Sequence, residues 1–265
     1  MNGTTGTVEL LGDAPLEGRG LSAEEARVEG QNPAGSSRGT ARAVGVLVLG
    51  GYLTYGVGSA VATGIASAPD YLSRVASSIA FPAAAVLMLV NSALVMGIGA
   101  LMFPILRRHS PAVAVGYLAT RVFEGVVLAV GILSLLSLVT VSRGYTAGGA
   151  DDSYFTTLGS LASSGNFLAY NVAMAGLGVG SIFFCSAMYR SNLVPRFLAA
   201  WGVMGYAIFA AGCLLEILGV TGAGMVAMVP GGLFEVFFAT WLIAKGFNRP
   251  VITPGAAPIA GTRSH

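Results

Sequence analysis

Residues 112–141 read AVAVGYLATRVFEGVVLAVGILSLLSLVTV, and this stretch decides the class of the fold. It is apolar along nearly its whole length, and its only charged side chains are Arg121 and Glu124. A helix needs about 20 predominantly apolar residues to cross the hydrocarbon of a bilayer. The stretch exceeds that length and therefore predicts a membrane-spanning helix.

The same pattern recurs along the chain. Of its 265 residues, 54% are hydrophobic and 10% are charged, whereas charged residues make up about 25% of ordinary soluble domains. Six segments are long and apolar enough to cross a bilayer, at about 43–66, 79–106, 112–141, 167–189, 196–219 and 223–246. We therefore predict an all-α polytopic membrane protein, in which residues 41–248 form a bundle of six transmembrane helices.

The two ends of the chain lack this pattern. Residues 1–40 are rich in Gly, Ser, Thr, Glu and Ala, a composition that buries too little apolar surface to fold alone. Residues 249–265 contain repeated proline and glycine, which favour loops. We expect both segments to be disordered tails.

Basic residues mark alternate breaks between the apolar segments and indicate the topology. Four places contain basic residues without acids: Arg38 and Arg42, Arg107 and Arg108, Arg190 and Arg196, and Lys245 and Arg249. Lys and Arg concentrate on the cytoplasmic side of membrane proteins. We therefore expect a multi-pass protein of the cytoplasmic membrane, with both tails in the cytoplasm.

Charged and hydroxyl side chains inside the apolar segments are the candidate functional groups. A charged group at the centre of a membrane helix costs roughly 2.5–3.5 kcal/mol on insertion scales, so it needs a partner or a wet cavity. At a rise of about 1.5 Å per residue, Arg121, Glu124, Glu235, Tyr52 and Tyr55 lie about 15–20 Å from the inner surface. We predict that they line a ligand-binding pocket or relay, through which a small solute, a lipid or a proton is bound or moved.

A structural alternative uses the same residues. Arg121 would bridge Glu124 and Glu235 and only fix how the helices pack, because buried ion pairs often serve specificity more than stability. The protein would then be a structural or regulatory membrane subunit without transport activity. A cavity at these residues favours the first interpretation, and dry mutual packing favours the second.

Three further polar residues lie nearer the predicted outer surface. Glu216 is 21 residues past Pro195, which places it about 31 Å from the inner face, so we expect it to contact lipid headgroups. Asn91 and Asn171 fall in the outer half as well. The three could line an outer vestibule, although asparagines in a bundle more often bond to a neighbouring helix.

Glycines and aromatic residues within the segments have simpler interpretations. Gly176, Gly178 and Gly180 alternate within one apolar segment, and we expect them to allow close helix packing. Tyr206 and Trp201 are expected to pack or to anchor membrane interfaces.

Other function classes have no support in the sequence. There is no Ser/His or Cys/His combination within the apolar segments, so we expect no catalytic residues and a protein that is not an enzyme. Cys185, Cys213, His109 and His265 do not suit a structural four-ligand zinc site, and we expect neither a metal nor a cofactor. Basic patches interleaved with aromatics, typical of nucleic-acid binding, are lacking. The bilayer is the expected partner, and the oligomeric state stays open.

Four motifs resemble those of a known family. They are residues 101–108 (LMFPILRR), 116–125 (GYLATRVFEG), 189–196 (YRSNLVPR) followed by Trp201-Gly202, and Glu235 followed by 241–247 (WLIAKGF). Together they resemble the bacterial six-helix membrane proteins of the domain-of-unknown-function 4386 family, over roughly residues 40–248. The resemblance implies six helices in the cytoplasmic membrane and assigns no activity.

Overall fold

The protein folds entirely into helices wherever its computed structural model describes the chain, which is over residues 33–148 and 152–248. These ranges contain seven helices and no strand. The helices are α1 (Pro33–Ala66), α2 (Tyr71–Ser77), α3 (Ala80–Arg107), α4 (Pro111–Thr146), α5 (Asp152–Ser191), α6 (Arg196–Ile217) and α7 (Ala223–Ala244). All except α2 are long and apolar enough to cross a membrane, so the predicted class and the six spans are confirmed.

The helix boundaries differ from the predicted ones at three places. Helix α1 begins at Pro33, so residues 33–40 are helical although we expected them in the first tail. Helix α5 begins at Asp152, well before the predicted residue 167. The prediction began late because residues 152–166 contain many Ser, Thr and Gly residues, and a hydropathy pattern does not detect a helix of such composition. Helix α2 was not predicted. The remainder of the expected tails, residues 1–32 and 249–265, lies outside the described residues.

The six long helices pack mainly against their neighbours in sequence. Helices α3 to α7 contact one another in order. Helix α1 closes the arrangement: a Cβ added to Gly45 would lie 2.6 Å from the carbonyl oxygen of Ala239 on α7, and one added to Gly58 would lie 2.7 Å from that of Ala84 on α3. The first and last helices therefore lie side by side, and the bundle encloses an interior.

Glycine makes these close approaches possible. A Cβ at Gly178 of α5 would lie 2.8 Å from the Cβ of Ala210 and 3.0 Å from the carbonyl oxygen of Tyr206, both on α6. A Cβ at Gly176 would overlap the side chain of Phe123, and one at Gly180 that of Thr120, both on α4. The prediction that these glycines serve helix packing is confirmed.

Helices α4 and α5 are longer than a bilayer requires. With 36 and 40 residues, they extend to about 54 and 60 Å, against roughly 30 Å of hydrocarbon. The C-terminal part of α4 packs with the N-terminal part of α5, and α2 lies against α4 there. Leu72 and Val75 of α2 join a second apolar core with Phe81, Ile132 and Leu138.

Candidate functional site

A cavity of about 270 Å³ lies inside the bundle. The five side chains predicted to form a site all line it: Tyr52 and Tyr55 from α1, Arg121 and Glu124 from α4, and Glu235 from α7. The rest of its wall is mainly apolar, with Val95, Leu128, Met174, Leu177 and Phe209 among its residues. The structure thus brings the five residues together, while their function stays a prediction.

Arg121 is paired within its own helix. Its Nη1 donates to Glu124 Oε2 at 2.7 Å and its Nε donates to the Tyr117 hydroxyl at 3.0 Å. The guanidinium carbon also lies 5.3 Å from the centre of the Tyr117 ring, which stacks on Phe184 with centroids 4.1 Å apart. Spacings of three and four residues place all three side chains on one face of α4. Arg121 and Glu124 are 5% and 3% exposed.

Glu235 makes a different set of contacts. Its Oε2 accepts a hydrogen bond from the Tyr52 hydroxyl at 2.7 Å, and its Oε1 accepts one from the Tyr206 hydroxyl at 2.5 Å. These partners belong to α1 and α6, so one carboxylate on α7 connects three helices. Both donors are neutral.

The bridge expected between Arg121 and Glu235 is not formed. The ion pairs among the residues that the structure describes are Asp70–Arg74 and Arg121–Glu124. The guanidinium of Arg121 pairs with Glu124, which lies one helical turn away. The carboxylate of Glu235 accepts its hydrogen bonds from two hydroxyl groups instead. The structural alternative therefore changes in form: the contact that joins helices is Glu235 with its two tyrosines.

Several polar atoms around the cavity have no hydrogen-bond partner within the described ranges. Asn91 is 7% exposed and lines the cavity, and its side-chain amide makes no such bond there. The same holds for Oε1 of Glu124, Nη2 of Arg121 and the hydroxyl of Tyr55, whose residues also line the cavity. These atoms belong to residues that line the cavity, where water or a guest can reach them, whereas the fully buried side-chain atoms without a partner among the described residues, such as Ser92 Oγ, belong to residues outside its lining.

The cavity opens between the first and last helices. Most of its lining residues are buried or half-buried, and the exposed ones are Tyr52 and Gly56 on α1 and Met228 on α7. Tyr52 is 40% exposed and Met228 38%. A guest therefore has a path from the side of the bundle, at the level of the apolar segments, to Glu235.

The three residues proposed for an outer vestibule do not form one group. Asn91 belongs to the cavity. Glu216 accepts hydrogen bonds from the backbone N–H groups of Gly222 and Gly224, at 3.0 and 2.8 Å, at the start of α7. A carboxylate at a helix N-terminus satisfies free N–H donors and complements the helix dipole. Asn171 approaches the same turn at Gly224 but donates to the Phe167 carbonyl of its own helix.

Sequence reasoning missed two aromatic contributors. Tyr206 was expected to pack or to anchor an interface; it is packed, at 3% exposure, and it also donates to Glu235, which was not predicted. It lies ten residues past Arg196, and the depth argument that selected Tyr52 ten residues past Arg42 would have found it. Tyr170 lines the cavity and stacks on Tyr55 with centroids 5.7 Å apart, and no spacing in the sequence indicated it.

Trp201 packs against Phe234 and Phe237, in line with one of its two expected roles. Its Nε1 donates to the carbonyl of Pro230 at 3.2 Å, which ties α6 to α7 beside Gly231 and Gly232 of the cavity wall.

With this geometry in place, the comparison with known families identifies the chain. A family model described as a domain of unknown function (DUF4386) matches residues 43–246. The chain belongs to this family. The match spans all six long helices and includes all five predicted site residues. Comparisons with curated proteins and with solved structures found no match.

Among the described residues no group of three or more His, Cys, Asp or Glu side chains is placed to hold a metal ion. Cys185 and Cys213 are free thiols in the apolar core. The chemistry of the DUF4386 cavity therefore comes from one guanidinium, two carboxylates, an amide and tyrosines.

Proposed function

We propose that this multi-pass membrane protein is a binding module that holds a small solute in the cavity lined by Tyr52, Arg121 and Glu235. The observation that carries the proposal is that polar groups on separate helices share a cavity instead of packing dry against one another. The unpaired amide of Asn91 and the lateral opening at Gly56 support it. Movement of the solute, a lipid or a proton across the membrane would extend this binding role.

A structural role is the second candidate, and a specific observation favours it. Glu235 connects α1, α6 and α7 through two short hydrogen bonds. A protein that used these residues only for packing would lose stability on Glu235→Gln or Arg121→Gln and show no change in any ligand or flux measurement. Such a module would be a subunit that recruits a partner, and neither candidate requires an enzyme activity.

The first prediction uses a variant that adds bulk at the exposed rim of the cavity. Gly56 lines the cavity, and a Cβ there would meet nothing within 4 Å. We expect native mass spectrometry of the purified protein in lipid to show a retained small molecule in the wild type, and Gly56→Phe to lose it.

Gly64→Phe is the matched control. Gly64 lies on the same helix, is exposed and has equally open space around its Cβ, but it does not line the cavity. A ligand retained equally by Gly56→Phe and Gly64→Phe, or none in the wild type, would contradict the proposal.

The orientation follows from the distribution of charge. We infer that the turns after α3 and α5, with Arg107, Arg108, Arg190 and Arg196 beside them, face the cytoplasm of a cytoplasmic membrane. Six crossings then place both ends of the helical domain on that side.

A further inference from the structure

The charges around the cavity do not balance. The lining residues include one cation, Arg121, and two acids, Glu124 and Glu235. Arg121 is engaged by Glu124 at 2.7 Å, so these two charges compensate each other. Glu235 receives only the hydroxyl groups of Tyr52 and Tyr206. In a low-dielectric interior a carboxylate with neutral partners attracts a positive charge strongly.

Aromatic rings lie around this carboxylate and the space next to it. Tyr52 bonds to Glu235 directly, and the stacked pair Tyr55 and Tyr170 forms a further part of the cavity wall. Phe209 contributes another ring. Aromatic faces attract organic cations, and quaternary ammonium groups in particular are recognised by clusters of such rings.

The rest of the cavity suits an apolar body. Val95, Leu128, Met174 and Leu177 line it, and its opening between α1 and α7 lies among exposed apolar side chains such as Leu53 and Val229. A guest that enters from that side must tolerate hydrocarbon, which favours one charge on an apolar skeleton over a fully polar solute. A bare metal ion would meet one carboxylate that is not paired with an arginine, that of Glu235, and otherwise mainly apolar walls.

We propose that the guest of this cavity is a small amphipathic organic cation, with its ammonium group beside Glu235 and the rings of Tyr52 and Tyr55 and its apolar part against the α4–α5 wall. The inference rests on the proposed binding function and specifies the chemical class of the ligand. It assigns Glu235 the role of counter-ion and the tyrosines the role of positioning residues.

The test compares two aromatic compounds of opposite charge. Benzyltrimethylammonium is the cation and phenylacetate the anion, and the protein is held in micelles of an uncharged maltoside detergent, which attracts neither compound and carries no ammonium group that would compete for the cavity. We expect calorimetric titration to show saturable binding of benzyltrimethylammonium to the wild type and none of phenylacetate. Glu235→Gln keeps the size and one of the two hydrogen-bond acceptors, and should weaken binding by about tenfold or more because the counter-charge is lost.

Asp70→Asn is the control for the loss of one negative charge. Asp70 is exposed in the turn between α1 and α2, beyond the end of α1 that is distant from the cavity. Its hydrogen bond to Arg74 lowers the pKa of its carboxyl group, so the group is charged at neutral pH. The Asp70→Asn variant should bind benzyltrimethylammonium as the wild type does.

Each outcome decides the inference. Equal or tighter binding of phenylacetate, undiminished cation binding by Glu235→Gln, or no binding of benzyltrimethylammonium by the wild type would overturn it. If Glu235→Gln does not fold, the comparison of the two compounds on the wild type still decides. The proposed function fails separately, when native mass spectrometry finds no ligand that Gly56→Phe displaces.

Discussion

At the scale of single residues, Arg121 and Glu124 form a buried charge pair within one helix. Neither side chain forms an ion pair with another helix among the described residues, although Glu235 of α7 acts on both electrostatically. Their value therefore depends on each other: removing one leaves the other charged, buried and without its counter-charge. Breaking such a pair costs much more than replacing both members.

We expect Arg121→Gln to lower the free energy of unfolding by about 3–5 kcal/mol, because the Glu124 carboxylate loses its partner. The double variant Arg121→Gln/Glu124→Gln should recover most of that loss, since two amides can bond to each other without a buried charge. Chemical denaturation in detergent micelles measures both. A double variant no more stable than Arg121→Gln would contradict the paired role.

At the scale of elements, glycine decides how closely α5 approaches its neighbours. Gly178 faces α6 near Tyr206, whose hydroxyl reaches Glu235. The packing of α5 on α6 thus supports one side of the candidate site, although Gly178 itself does not line the cavity.

Gly178→Ala should destabilise the protein by about 1–3 kcal/mol, the usual cost of an added methyl group in a tightly packed place. Its Cβ would press on the backbone carbonyl of Tyr206 at 3.0 Å as well as on Ala210. The matched variant is Gly116→Ala on α4, whose Cβ would meet nothing within 4 Å.

Gly116→Ala should be neutral or stabilise by up to about 1 kcal/mol, because alanine favours a helix. Thermal unfolding of the two variants side by side gives the comparison. Equal unfolding temperatures of Gly178→Ala and Gly116→Ala would contradict a tight contact between α5 and α6 at Gly178.

At the scale of the whole molecule, six crossings require the turns to alternate between the two sides of the membrane. His109, between α3 and α4, and Leu218, between α6 and α7, are both exposed and belong to opposite sides. The native thiols Cys185 and Cys213 are buried and give little background.

In intact cells a membrane-impermeant maleimide should label Leu218→Cys and leave His109→Cys unlabelled until the membrane is opened. The inverse pattern would contradict the orientation inferred from charge. Labelling of both positions, or of neither, would contradict the count of crossings between them.

The sequence predicted the architecture well because each span is a long apolar run, and only helices satisfy their backbone within such a run. It predicted the five lining residues because a rise of 1.5 Å per residue turns position into depth. Depth does not give rotation about a helix axis, so only half of the predicted bridge is formed: Arg121 pairs with Glu124, one turn away, while Glu235 accepts from two hydroxyl groups. For the same reason the sequence did not show that Asn91 faces the cavity.

The helical structure of the polar first part of α5 could not be predicted from the sequence, for a different reason. Residues 152–166 are helical because they pack against α4, as Gly165 beside Ser134 and Gly159 beside Leu138 show. Such support depends on tertiary contacts, and local composition does not report it.

The contact between α1 and α7 bears on how the protein is made. Among the described helices Tyr52 is on the first to be synthesised and Glu235 on the seventh, so four further crossings are made between the hydroxyl group and its acceptor. A nascent chain that stalls before α7 has an open seam beside α1 and no counter-ion in its interior. Occupancy of the cavity would thus distinguish finished molecules from truncated ones, and a retained ligand would serve as a marker of completed membrane insertion.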